Sequence, residues 1–279
     1  MTGVSPAYFI SRYTDRFTPA EMCEGLAEIA ELRFQHFQPE VFHAENLTDW
    51  VNGGSQQVQQ CSESLGLKPS QFLAHFMLNA FGNPASVMSD SGIVEIDSVL
   101  EIVDRFEDCP LITIPLGVFD FKGIAKRSDY ITLFNRCVEK IGKLLERVEG
   151  AGRRLALEIM PAAVIGGIDG FLRLCEKLGT DTLGLNFDTG HAWAAKENLY
   201  LVPAKLGRRI LGTHVCDNYG NENLSLRPAT GSIDWKLLLP ALKHIGYAGW
   251  LDLEIICEPD EVRREYDAGH KFIRKIWDT

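Results

Sequence analysis

The run Leu183-Gly184-Leu185-Asn186-Phe187-Asp188 carries the architecture of this chain in miniature. Large apolar residues hold the odd positions, and glycine, asparagine and aspartate the even ones. Side chains of a strand alternate between its two faces, so this run has one greasy face and one polar face that ends in a carboxylate. Three other stretches have the same form. Leu155-Ala156-Leu157-Glu158 sets leucines against a small and an acidic residue, Leu211-Gly212-Thr213-His214-Val215 puts glycine and histidine on one face, and Leu251-Asp252-Leu253-Glu254-Ile255 puts two acids on one face.

β-like runs recur along the chain at Tyr8–Tyr13, Arg33–Gln38, Gln71–Met77, Leu111–Leu116, Leu155–Met160, Leu183–Asp188, Ile210–Cys216 and Trp250–Ile255. Amphipathic helical runs lie between them. Pro19 to Leu32 has Thr18 as its N-cap, Asp234 to Ile245 stops at Gly246, and the charged segment Asp260–Asp278 reads as a last helix. Strands alternating with helices imply a parallel sheet. Eight of them at about 35 residues per βα unit fit the eightfold closed barrel. The expectation is an α/β fold, a (β/α)8 TIM barrel, as a single domain over residues 1–279. An open doubly wound sheet is the competitor and would normally carry a glycine-rich phosphate turn. No GxGxxG and no GxxxxGK[ST] occurs, and Gly166-Gly167 reads as an isolated loop pair.

Composition narrows the function. With 46% hydrophobic and 24% charged residues the chain is neither disordered nor fibrous. Acids outnumber bases 38 to 28, a net charge of −10, which argues against nucleic-acid binding because phosphate contacts carry most of that affinity. No apolar run of roughly 18 residues predicts a membrane span, and Met1 to Ile10 has no secretory pattern. Seven cysteines without a CxxC pair read as reduced core thiols. A cytoplasmic protein is expected, and a homo-oligomer stays open.

Glu158, Asp188, His214 and Glu254 each stand near the carboxyl end of a predicted strand, on its polar face. The intervals are 30, 26 and 40 residues, each close to one βα unit, so consecutive staves would bring four ligands to the face where barrel enzymes place their sites. Three carboxylates and an imidazole crowded together need a partner for their charge. A divalent cation supplies it, and this ligand set suits Mn²⁺ or Mg²⁺, with Co²⁺ or Zn²⁺ as alternatives. The competing reading is four unrelated polar residues satisfied by salt bridges. His75, in the third predicted strand, lines the pocket or sits satisfied in the core. Asp217 orients His214 or caps a helix. Trp193 and Trp235 stack on the apolar face of a ligand or simply pack.

The run Leu155–Glu158, Asp188-Thr189-Gly190-His191, His214-Val215-Cys216-Asp217, Gly249–Glu254 and the loop Arg227-Pro228-Ala229-Thr230-Gly231-Ser232-Ile233-Asp234-Trp235 resemble the sugar isomerase/epimerase superfamily with a xylose-isomerase-like barrel. The group spans ketose 3-epimerases, inosose isomerases and dehydratases and, more distantly, AP endonucleases. Ala229 stands where that family usually has glycine, and the loop from Asp217 to Arg227 is longer than in the epimerases. The resemblance implies a divalent-metal-dependent enzyme of carbohydrate metabolism acting on a ketose or keto-polyol. It implies Glu158, Asp188, His214 and Glu254 as metal ligands and Glu158 with Glu254 as the acid/base pair across an enediolate. It also implies His191 as a substrate contact and a small-molecule sugar as the partner; Arg227 offers a directed fork for a substrate hydroxyl or carboxylate. A keto-sugar dehydratase or lyase on the same site, an AP-endonuclease-like nuclease and a non-catalytic sugar- or metal-binding subunit are the alternatives. Leu111–Leu116 carries no histidine of the kind the nuclease branch uses.

Overall fold

A computed structural model describes residues 2–279; Met1 lies outside them. The strands are β1 (Thr2–Val4), β2 (His36–Phe37), β3 (Lys68–Pro69), β4 (Phe72–Leu73), β5 (Leu111–Leu116), β6 (Arg154–Ile159), β7 (Gly184–Asp188), β8 (Ile210–Val215) and β9 (Leu251–Leu253). All pair in parallel, in the order β3-β2-β1-β9-β8-β7-β6-β5-β4. The two ends of that order belong to one piece of chain. β3 pairs with β2 and β4 pairs with β5, so Ser70-Gln71 between them joins the sheet to itself. The Ser70 N–H donates to Phe37 O at 2.9 Å on one side, and the Ala74 N–H to Thr113 O at 3.0 Å on the other. Nine strands therefore make eight staves of a nearly closed barrel with helices outside it.

Parallel neighbours need a crossover, and an amphipathic helix supplies it while covering the sheet. The helix Gly167–Leu178 buries Ile168, Phe171, Leu174 and Cys175, one stripe at helical spacing. They belong to one core with Leu155, Leu157, Leu185, Phe187, Leu251 and Leu253 of the staves. Each such side chain contributes roughly 1.5–3 kcal/mol on burial. The helix Pro19–Glu31 begins with a full capping box: Thr18 accepts from the Glu21 N–H, the Glu21 carboxylate accepts from the Thr18 N–H, and Pro19 takes the first turn.

The inside of the barrel is polar. Gln38, Ser70, Gln71, Thr113, Asn186 and Asp252 are buried there and bond to one another. Gln38 and Ser70 both donate to Asp252 Oδ2 at 2.7 Å, and Gln71 donates to Asn186 at 3.0 Å. A Cβ on Gly3 would lie 2.0 Å from Asp252 Oδ1, so this stave passes the carboxylate only as glycine.

Sequence and structure differ mainly in the first third. Tyr8–Tyr13 is not a strand: Ala7–Arg12 is a helix, and the first stave is Thr2–Val4. Aromatic and β-branched residues suggest a strand there, but packing overrides propensity. Tyr8 sits edge-on to both Phe9 and Tyr266 beneath a turn that starts at Ser5-Pro6. A three-residue strand cannot display an alternation. Gln71–Met77 shrinks to Phe72–Leu73, after which His75–Phe81 coils into a 3₁₀ turn. Arg33–Gln38 shrinks to His36–Phe37. Gly167 opens a helix rather than extending a loop. No helix among the described residues is long and apolar enough to cross a membrane.

Candidate metal centre

Glu158 is the penultimate residue of β6, Asp188 the last of β7, and His214 the penultimate of β8. Glu254 follows β9 directly, its N–H bonded to Val215 O at 3.1 Å. Asp188 and His214 are register partners across β7 and β8. The four side chains meet at the carboxyl end of the barrel, and one ligand atom from each lies within 4.8 Å of all the others. His214 Nδ1 is 3.0 Å from Glu158 Oε1, 2.7 Å from Glu254 Oε2 and 3.8 Å from Asp188 Oδ2. The side chains of Glu158, Asp188 and His214 are at most 4% exposed, whereas Glu254 is 15% exposed, so Glu254 faces the mouth.

The donors fit a divalent cation. Asp188 Oδ2 is buried and has no hydrogen-bond partner, a costly state for a carboxylate oxygen that a cation at this point would relieve. Its other oxygen accepts the His191 N–H at 2.6 Å and so caps the helix Thr189–Ala194. Burial, with the negative charges of Glu254 and Glu158 beside it, pushes the Asp188 carboxyl up to about 7. Burial also works against ionisation of Glu158, but His214 outweighs it and holds that carboxyl down at about 2. His214 is raised well above its ordinary value: burial opposes its charge, and Glu158 and Glu254 overcome that.

The far side of His214 is held by a residue that sequence reading missed. His214 Nε2 is 2.9 Å from Gln38 Oε1. Gln38 Nε2 donates to Asp252 Oδ2, which as a carboxylate only accepts, so the amide oxygen faces the imidazole. Nε2 therefore carries a proton and Nδ1 points its lone pair at the carboxylates whenever the ring is neutral. Orientation of a ligand histidine by a carbonyl oxygen is the usual outer support of a metal site. Gln38 lies in the expected second strand, and its inward position beside Phe37 was the available signal.

Asp217 does not join the centre. Its Oδ1 accepts the Asn218 and Ile233 N–H groups, and its Oδ2 accepts the Ala229 N–H and Trp235 Nε1–H. Four donors fill this carboxylate, which organises the loop to Trp235 and leaves the orientation of His214 to Gln38. Trp235 is buried and spent on that bond, and Trp193 Nε1 donates to Ser232. Arg227 donates from Nε to Glu265 at 2.8 Å. His191 does reach the centre, its Nε2 being 4.0 Å from Glu158 and 3.9 Å from Asp188. His75 bonds through Nδ1 to the fully buried Glu40 at 3.1 Å and stacks on Phe42. Glu40 Oε2 is buried without a partner.

Residues 26–276 match the family described as xylose isomerase-like TIM barrel. The chain belongs to that family. A protein of Natranaerobius thermophilus named "Probable endonuclease 4" is 27% identical over 139 residues, 48% of this chain and 45% of the relative. The chain spans less than half the length of the curated relatives it matches. Two solved structures agree over nearly all of both chains. The IOLI protein with a zinc atom superposes at a TM-score of 0.79 with 16% identity, covering 100% of this chain and 99% of that one. D-psicose 3-epimerase with D-tagatose from Clostridium cellulolyticum H10 does so at 0.77 with 14% identity, covering 99% of each. At such identities the likeness is one of fold.

Proposed function

We propose that this protein is a divalent-metal-dependent sugar isomerase or epimerase acting on a ketose or keto-polyol. The observation that carries the reading is the convergence of Glu158, Asp188, His214 and Glu254 around a point where Asp188 Oδ2 has no other partner. A zinc atom in one structural neighbour and a ketose in another support it. Mn²⁺ or Mg²⁺ suits the oxygen-rich set best, with Co²⁺ and Zn²⁺ the alternatives. Bound there, such an ion would supply Lewis acidity to a carbonyl oxygen, an effect of several kcal/mol on the developing charge.

The chain's own residues do the rest. One of Glu158 and Glu254 would take the proton alpha to the carbonyl, and the other would return one. Transfers of this kind typically contribute about 10²–10⁴-fold. His191 presents Nε2 beside both Glu158 and Asp188, where it would donate to a substrate oxygen. A sugar is the only partner the reading requires. Elimination on the same centre is the competing outcome, and the endonuclease likeness adds a nuclease outcome.

One experiment separates them. The manganese-loaded protein is incubated with a panel of ketoses, keto-inositols and keto-glycosides in D₂O, and with abasic-site DNA in parallel. Isomerase or epimerase chemistry gives a sugar product of unchanged composition carrying solvent deuterium. A product short of one water means elimination, and cut DNA with untouched sugars sinks the proposal.

A further inference from the structure

The loop from Asn218 to Leu226 is pinned at its base, where Asp217 and Leu226 exchange both backbone hydrogen bonds at 2.8 and 2.9 Å. Its tip folds back onto the centre. Ser225 Oγ donates to Glu254 Oε1 at 3.2 Å, and Ser225 O accepts the Ile256 N–H at 2.9 Å. Ser225 holds a left-handed φ of 43°, a strained backbone for serine. Asn223 reaches further in. Its Oδ1 accepts the Ser225 N–H at 3.0 Å, and its Nδ2 lies 3.3 Å from His191 Nδ1. Gly190 makes room for it, since a Cβ there would lie 2.2 Å from Asn223 Oδ1.

These contacts fix which way the amide points. A backbone N–H can only donate, so the oxygen it bonds must be Asn223 Oδ1, and the NH₂ group must face the imidazole. An NH₂ group cannot accept, so a neutral His191 receives at Nδ1 and keeps its proton on Nε2. Gln38 imposes the opposite use on His214, whose Nδ1 lone pair faces the carboxylates. The two imidazoles of one site are thus set to complementary tasks, one to offer a lone pair and one to offer a proton.

We propose that Asn223 is a positioning residue: through its amide it locks the ring of His191 as the Nε2–H tautomer, so that the ring donates into the centre. The assignment deepens the reading of the site as a sugar-binding metal centre, yet its test needs neither sugar nor turnover. The carboxylates that favour a charged His191 ring are those a divalent cation would neutralise. Imidazole ¹⁵N spectra are therefore recorded on the zinc-loaded protein and on the metal-free protein at pH 9, for the wild type and for Asn223→Asp. The aspartate keeps one oxygen for the Ser225 N–H and turns the other into an acceptor. The expected result is a bare His191 Nδ1 in the wild type and a protonated Nδ1 in Asn223→Asp. A neutral wild-type ring with its proton on Nδ1 and a bare Nε2 overturns the proposal without any variant, and so does a bare Nδ1 in the folded Asn223→Asp protein. Failure to take up zinc would count against the metal reading alone, because the metal-free spectra still report the tautomer.

Discussion

The two halves of the barrel are built differently. From β1 to β4 the strands are two or three residues long, and they send no ligand to the centre. From β5 to β8 they run five or six residues, and β6 to β9 deliver all four ligands. Within the long half β5 and β6 pair residue by residue, from Leu111 with Arg154 to Leu116 with Ile159, and Asp188 pairs with His214 at the ends of β7 and β8. The short half sends Gln38, Ser70 and Gln71 into the axis instead. One half supplies the ligands and the other holds them in register, a division that positions a first set of ligands through a second set of contacts.

The largest expected effect lies in the ligand half. Glu158→Gln and Glu254→Gln should each lower turnover by at least about 10²-fold, while far-UV circular dichroism and the unfolding midpoint stay close to the wild type. Activity surviving in both single variants would remove the two-glutamate assignment. A smaller effect is expected from the supporting half. Gln38→Leu strips His214 of its orienting acceptor without touching a ligand and should weaken metal binding by about 10–100-fold. Calorimetric titration with Mn²⁺ reads this directly, and unchanged affinity would show that the halves do not divide the work in this way.

The seam between the halves carries a pH prediction. His36 on β2 and His270, bonded to Thr2 of β1, are buried, and burial lowers both to about 4. In the unfolded chain they titrate near 6.5. The unfolded state therefore binds more protons between those values, so their contribution is complete above pH 6.5 and is lost as pH falls toward 4. Going from pH 7.5 to 5.5 should cost about 1 kcal/mol per histidine. Urea unfolding at the two pH values, repeated on a His36→Gln/His270→Gln protein, should show a shallower slope in the variant; equal slopes would contradict the assignment.

The smallest effect is at Ala229. It takes a left-handed φ of 75° while its N–H serves Asp217, a conformation that favours glycine. Ala229→Gly should stabilise the fold by up to about 1 kcal/mol, seen as a raised unfolding midpoint.

The same contrast decides what could be read in advance. In the ligand half the alternation survives in sequence, because each stave buries leucines outward and turns a polar residue inward over several repeats; Leu183–Asp188 and Ile210–Cys216 are each within one residue of the observed strands. The four ligands fall on that pattern. In the supporting half a two-residue strand leaves no period to detect, and Tyr8–Tyr13 looks more strand-like than Thr2–Val4 does. Gln38 and Asn223 were illegible for another reason. Their importance comes from the imidazole each amide faces, and that imidazole is far away in sequence, His214 for Gln38 and His191 for Asn223.

The most direct test is a calorimetric titration of the metal-stripped protein with Mn²⁺, run beside Asp188→Asn. One equivalent should bind to the wild type, and the affinity should be lower by about 100-fold or more in the variant. A wild type that binds no divalent ion, or a variant that binds it equally well, would contradict the metal reading.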